Sequence, residues 1–212
     1  MAQERALAVP VRFYRTDAGT EPALEWLRSL DRADRRTIGL DLMRVQFGWP
    51  IGMPLVRSLK GGLWEVRSNL PSQRIARLLL CFHQGTLIVL HGFIKKTQKT
   101  PAEDLALSQA TDEGGDDVKK KNPHIGSSLD DFLKKEGILE EARAVALKEA
   151  LAWQVQKAMK RRKINKVEMA RRMRTSRAAL DRLLDPGNAS VTLQTLCRAA
   201  RAVGRDLHIE LV

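Results

Sequence analysis

The chain has 212 residues, with 37 lysines and arginines against 25 aspartates and glutamates, a formal charge of +12 and two cysteines. That length suits one large domain or two small ones, and the positive excess points to an anionic partner, nucleic acid first. The sequence has no basic-then-apolar leader with a cleavage site, and no apolar run near the roughly 20 residues that cross a bilayer. Cys81 and Cys197 both lie in apolar runs, so the expectation is a soluble cytoplasmic protein with buried free thiols rather than a secreted, disulfide-stapled one.

The first half mixes strands and helices. Val9–Arg15 reads as a short strand. Ala23–Leu30 and Ala33–Phe47 carry helical spacing, with Leu24, Leu27, Ile38, Leu42 and Val45 as core candidates. Strand signals follow at Leu55–Leu59, Leu63–Ser68, Ile75–His83 and Thr86–Lys95, with Gly61-Gly62 and Gln84-Gly85 as hairpin turns. Pro101 is a good first-turn residue for a helix to about Ala110. These elements predict an α+β domain, an antiparallel sheet with helices before and after it.

Residues 112–121, Asp-Glu-Gly-Gly-Asp-Asp-Val-Lys-Lys-Lys, are polar and glycine-containing and read as a linker. Residues 1–116 carry 16 basic and 13 acidic side chains, and residues 117–212 carry 21 and 12, so most of the positive field belongs to the second half.

That second half reads as nearly all helix. Leu129–Leu133 and Leu139–Ala158 come first, the latter with a stripe at Leu147, Leu151, Val155 and Ala158. Asn165, with Glu168 three residues on, gives a capping-box pattern for Lys166–Met173. A turn at Arg174-Thr175-Ser176 leads to Arg177–Leu184, which Asp185-Pro186-Gly187 stops. Thr192 caps a last helix with Leu193, Leu196, Cys197, Ala200 and Val203 as its apolar face. Gly204 ends it, and Leu207–Val212 alternates like a strand.

Two short helices joined by a tight turn, with helices before and after, describe a helix-turn-helix domain. Met169, Met173, Leu180 and Leu183 supply its core, and Ala170 lets the two helices cross closely. The second helix then presents Thr175, Ser176 and Arg177 at its N-terminal end, with Arg182 further along, where a major groove is read. Lys166 sits at a helix N-terminus, suited to a phosphate, and Lys160 to Lys163 add nonspecific attraction. An ordinary bundle with a solvated basic face is the competing reading; the spacing, caps and basic turn together favour DNA. The stretches Val167-Glu168-Met169-Ala170, Thr175 to Pro186 and Val191-Thr192-Leu193 resemble the Xre/Cro-type antitoxins of the HigA family, and Asn122 to Leu133 resembles the start of such proteins. The resemblance implies a dimeric, operator-binding repressor.

In the first half, Leu59-Lys60-Gly61-Gly62-Leu63-Trp64-Glu65-Val66-Arg67, then Arg74-Ile75-Ala76-Arg77, then Leu90-His91-Gly92-Phe93-Ile94-Lys95-Lys96-Thr97-Gln98-Lys99-Thr100-Pro101 resemble the phage-derived branch of HigB toxins in the RelE superfamily. That resemblance implies a ribosome-dependent mRNA endoribonuclease needing no metal or other cofactor. The residue chemistry is compatible. RNA supplies its own 2′-hydroxyl nucleophile, and the protein must take that proton, hold the phosphate oxygens and protonate the leaving oxygen. Strand alternation puts Glu65 and Arg67 on one face of their strand, and Phe93 and Lys95 on one face of theirs. If the faces coincide, Arg67, Arg77 and Lys95 form a cationic floor and Phe93 stacks on a base. The general base is open between Lys60 and Glu65. Trp26 and Trp64 read as core, His83 and His91 as hydrogen-bonded strand residues. The only tyrosine, Tyr14, is on the first strand, and the four histidines and two cysteines show no metal-ligand spacing.

Together these readings make the chain a toxin–antitoxin fusion: a toxin domain at 1–111, a linker at 112–121, a toxin-neutralising helical segment at 122–150 and a helix-turn-helix domain at 151–212. A natural and an engineered fusion both remain open. A tether of about 10 residues spans roughly 15–20 Å, so the expectation is inhibition in cis at high effective concentration. Its partners are then mRNA on the ribosome, operator DNA and a second copy in a homodimer. The alternatives are a transcriptional regulator whose sheet is an inert dimerisation or sensing module, and a basic adaptor that binds RNA without cutting it.

Overall fold

The computed structural model describes residues 8–95, 123–185, 188 and 191–207. The helix expected at Pro101–Ala110, the 112–121 linker and the strand expected beyond Leu207 lie outside the described residues. The chain divides into two compact units, residues 1–142 and 143–212.

The first unit runs β1 (Val11–Tyr14), α1 (Pro22–Arg28), α2 (Arg32–Gly48), β2 (Val56–Ser58), β3 (Leu63–Asn69), β4 (Ile75–His83), β5 (Thr86–Ile94), β6 (Ile125–Ser128) and α3 (Leu129–Lys135). Its sheet has the order β2-β3-β4-β5-β1-β6. Strands β2 to β5 form the expected antiparallel meander. The β2–β3 turn uses Gly61 and Gly62 at φ 70° and 74°, and the β4–β5 turn uses Gln84 and Gly85 at 44° and 79°. Glycine reaches that left-handed region without steric cost, so Gly61-Gly62 marks the hairpin.

The sheet is mixed rather than wholly antiparallel, because β1 runs parallel to β5 and β6 closes antiparallel on β1. Alternation in a sequence reveals a strand's two faces but not its neighbour, so this pairing was not legible. The expected helical segment at 122–150 likewise begins as a strand. Ile125-Gly126-Ser127-Ser128 is short and poor in β-formers, and it is the unpaired edge of β1 that makes it extended.

Helices α1 and α2 pack on one face of the sheet. Ile38, Leu42, Met43 and Val45 of α2 are fully buried there, with Phe13, Val66, Leu78, Leu80 and Val89 from the strands. A bulge in β5 shifts the β4 pairing from Leu79↔His91 to Leu80↔Val89. It leaves Leu90 as the extra residue, and a second small apolar cluster forms around Leu63, Ile88 and Leu90, with Tyr14 and Cys81 packed against it.

Helix α4 (Leu139–Arg161) begins in the first unit and continues into the second, where α5 (Lys166–Arg172), α6 (Arg177–Leu184) and α7 (Leu193–Ala202) follow. Asn165, Ser176 and Thr192 cap these three, each side-chain oxygen accepting the backbone N–H three residues on, at 2.8, 3.1 and 3.2 Å. The reciprocal half of the expected capping box is diverted: the Glu168 carboxylate accepts from Arg171 and Arg172, which hold its pKa down at about 2. The core joins Val155, Ala158 and Met159 of α4 to Met169, Leu180, Leu183, Ala199 and Val203. Two expected stripes hold in part, with Val155, Ala158 and Val203 buried as expected and Leu196 packed against the core. Leu147 is 41% exposed while Ala146 and Ala152 are buried, and Leu193 is 62% exposed while Ala199 is buried. Cys197, one position round α7 from Leu196, is exposed and Cys81 is half-buried, so neither is the buried thiol expected. Among the described residues, no helix is long and apolar enough to cross a membrane.

Candidate functional site

The register places Arg67 of β3 directly opposite Arg77 of β4, and Arg77 directly opposite Phe93 of β5. The next row on the same face holds Arg57 of β2, Glu65, Leu79 and His91. This face points away from α1 and α2, because the alternating neighbour Gly92 lies beneath Trp26 of α1. A Cβ at position 92 would stand 2.2 Å from Trp26 Cε3, so only glycine lets the strand approach so closely.

Glu65 sits between the two arginines at 1% exposure. Its Oε1 accepts from Arg67 Nε at 2.5 Å and its Oε2 from Arg77 Nη1 at 2.8 Å. Each oxygen holds one guanidinium, so the carboxylate fixes the orientation of both arginines. Arg77 is buried, and Arg67 retains 23% of its side chain exposed, which makes it the reachable end of the pair. Lys95 lies just past β5, where its backbone N–H donates to Ile75 O at 2.8 Å and extends the ladder beyond Phe93. The rings of His91 and Phe93 lie nearly parallel, 25° apart, with centroids at 6.2 Å.

The sheet thus brings Glu65, Arg67, Arg77 and Phe93 together, with Lys95 at the end of the same face. It does not bring Lys60, which is exposed in the β2–β3 turn beyond Leu63. Leu63 is itself roughly 13 Å along β3 from Arg67 at an ordinary strand rise. Arg57 was missed by sequence reasoning. The signal was present: the turn pairs Leu59 with Leu63, and counting back along the hairpin sets Arg57 opposite Glu65.

In the second unit, Lys166, Ser176, Arg177 and Arg182 are exposed and Thr175 is half-buried. Ser176 Oγ is committed to the Ala179 N–H as the cap of α6. Lys166 Nζ lies 2.6 Å from Asp181 Oδ1, and Arg177 Nε lies 4.0 Å from Asp181 Oδ2. Lys166, foremost, holds the Asp181 carboxyl below its ordinary pKa. Asp181 was not anticipated, yet it joins the first turn of α5 to the exposed face of α6.

Residues 25–111 match the family described as phage derived protein Gp49-like (DUF891). The matched stretch takes in α2 and β2 to β5, and with them the whole Arg67, Arg77 and Phe93 row. Strands β1 and β6 lie outside it. No curated protein and no solved structure matches the chain. The Gp49-like segment therefore carries the cationic row, and the capped helices after residue 143 lie outside the matched residues.

Proposed function

We propose that the Gp49-like segment is an RNA-cleaving toxin domain of RelE type, joined in one chain to a helix-turn-helix antitoxin half that binds operator DNA. The observation that carries the first part is the row Arg67, Arg77, Phe93 on one sheet face, with Glu65 fixing both guanidiniums. The Gp49-like match supports it, that family being RelE- and toxin-like.

In this reading an RNA 2′-oxygen attacks the adjacent phosphorus and gives its proton to water, the bond to the 5′-oxygen breaks, and that oxygen takes a proton from water, leaving a 2′,3′-cyclic phosphate and a 5′-hydroxyl. The phosphoryl oxygens gather negative charge as this happens. Arg67 and Lys95 meet that charge from fixed positions, and a guanidinium already oriented by Glu65 needs no reorganisation at the moment of reaction. Phe93 offers a ring to a base beside the scissile bond. Glu65 is a positioning residue here, and Lys60 stands outside the row.

The DNA-binding part rests on the capped pair α5 and α6, whose solvent side carries Lys166, Arg177 and Arg182. Such a pair places the N-terminal end of its second helix in the major groove. Ile125–Ser128 pair with β1, which stands between them and β5.

The test is primer extension on programmed ribosomes with the full chain, with residues 1–142, and with each carrying Arg67→Ala or Lys95→Ala. Cleavage that both substitutions abolish is expected; intact mRNA with residues 1–142 overturns the reading. A second reading, a regulator with an inert sheet, is favoured by the pairing of both Glu65 oxygens with arginines. It predicts operator retardation on a gel with no cleavage at all.

A further inference from the structure

Helices α3, α4, α5 and α7 end in one and the same hydrogen-bonded turn. In each, a residue of positive φ donates its N–H to the carbonyl three residues back, and the next residue donates to the carbonyl five back. The pairs are Gly137 to Lys134 with Ile138 to Leu133, Lys163 to Lys160 with Ile164 to Met159, Arg174 to Arg171 with Thr175 to Ala170, and Gly204 to Arg201 with Arg205 to Ala200, all between 2.8 and 3.2 Å. The turning residues have φ of 73°, 54°, 52° and 63°. Glycine takes that conformation without steric cost, and a residue with a Cβ is strained in it. Glycine stands there after α3 and α7. The two connections that lead into α5 and α6 carry Lys163 and Arg174 instead.

Folding does not explain the exchange. A cation near a helix C-terminus complements the helix dipole, but the last turns of α4 and α5 already hold Lys160 and Arg161, and Arg171 and Arg172. Packing does not require it either, since Lys163 and Arg174 are both exposed. Among the described residues neither has a carboxylate partner, whereas Arg171 and Arg172 share Glu168 and Lys166 is held by Asp181. The two stand at equivalent places: Lys163 two residues ahead of the Asn165 cap, and Arg174 two ahead of the Ser176 cap. Arg174 therefore directly precedes Thr175, Ser176 and Arg177. Strain held at an exposed position points to a task for the side chain outside the folded chain.

We propose that Lys163 and Arg174 each contact a backbone phosphate of duplex DNA, and that the chain gives up helix-end stability to put charge beside the reading end of α6. This deepens the DNA-binding reading and rests on it. The two residues carry affinity without base preference, since a phosphate has the same chemistry at every step of the duplex.

The test uses the full chain and a fluorescein-labelled DNA duplex of mixed sequence, followed by fluorescence anisotropy at several salt concentrations. Lys163→Gly and Arg174→Gly are each expected to raise the thermal midpoint by about 2–4 °C while binding DNA more weakly, with the salt slope reduced by about 1. Arg174→Gln removes the charge but keeps the Cβ, so it lowers the slope without raising the midpoint. Arg174→Lys restores the wild-type slope. Arg201→Gln takes one charge from the exposed last turn of α7 and leaves the slope unchanged. A glycine variant that is more stable yet keeps the wild-type slope removes that residue from the DNA backbone and overturns its part of the proposal. Glycine variants with no gain in midpoint overturn the strain on which it stands. An equal loss of slope in Arg201→Gln reduces the effect to net charge and overturns it too. Each of these outcomes leaves DNA binding itself standing. A wild-type chain that binds no duplex at any salt concentration overturns the DNA-binding reading, and this proposal with it.

Discussion

Arg67 and Arg77 face each other across β3 and β4, and both close on the two oxygens of a single carboxylate, Glu65, which is 1% exposed. Two guanidiniums side by side would repel; the shared acid between them turns repulsion into a fixed fork. Removing one member of a buried ion pair costs about 3–5 kcal/mol because the remaining charge is stranded. Glu65→Gln preserves the shape and removes the charge. A loss toward the lower end of that range is expected, since Arg67 keeps some access to water. Urea unfolding measures it. A midpoint unchanged within error would mean that the pairing contributes nothing to the sheet.

Arg67 is the member of the fork that a ligand can reach, and its fork geometry matters as well as its charge. Arg67→Lys keeps the charge and loses the planar pair of donors. Removal of one preorganised donor to a developing oxyanion typically costs about 10²–10³ in rate. A fall of that order in ribosomal mRNA cleavage is expected, with the thermal midpoint close to wild type. Wild-type cleavage by Arg67→Lys would remove the guanidinium from the reaction.

Much of this face was legible because its logic is local. Alternation put Glu65 with Arg67 and Phe93 with Lys95, and the Gly61-Gly62 and Gln84-Gly85 turns fixed the meander whose register aligned them. What escaped depends on distant chain. The parallel place of β1 beside β5, and the recruitment of Ile125–Ser128 to its edge, are set by an open strand edge and by Glu21, about 100 residues away in sequence. Leu193 and Cys197 escaped for a different reason. A helix with alanines at Ala199, Ala200 and Ala202 leaves its phase ambiguous, and it is the small Ala199 that faces the core.

Gly92 belongs to the motif Leu90-His91-Gly92-Phe93, and its role is to seat β5 beneath Trp26. Gly92→Ala sets a methyl group against the indole ring. Overpacking of this kind costs about 1–3 kcal/mol. The strand must lift or the indole must move, and either displaces Phe93 on the other face. Lower stability, altered tryptophan fluorescence and reduced RNA cleavage are expected together. A stable variant with unchanged fluorescence would show that the contact is easily relieved.

On the second unit, Ser176 carries a structural task that precedes any contact with DNA. Its Oγ caps α6, and Ser176→Ala is expected to cost about 1 kcal/mol of stability. Arg177 has no such duty: 68% of its side chain is exposed. Arg177→Ala is expected to leave folding unchanged and weaken operator binding by about 1–3 kcal/mol, while Lys166→Ala lowers the salt slope by about 1. Fluorescence anisotropy at several salt concentrations separates these outcomes. Equal slopes for Lys166→Ala and wild type would take Lys166 off the phosphate backbone.

Glu21 makes the pairing of β6 with β1 dependent on pH. Burial by itself would raise its pKa, but hydrogen bonds from Arg15 and Ser127 outweigh this and hold the carboxyl below its ordinary value. A group whose folded pKa is depressed contributes stability above its unfolded pKa and loses that contribution as pH falls through the folded one. Strand β6 is therefore fully held at neutral pH and loosens on acidification below the usual carboxylate range. Hydrogen exchange at Ile125–Ser128, measured from pH 7 to pH 3 and corrected for the intrinsic rate, is expected to show protection lost at the acid end. In Glu21→Gln the acid-dependent part of that loss shrinks, because an uncharged amide has no proton to gain. A strand that stays equally protected throughout would mean that backbone pairing alone holds it, with the carboxylate contributing nothing.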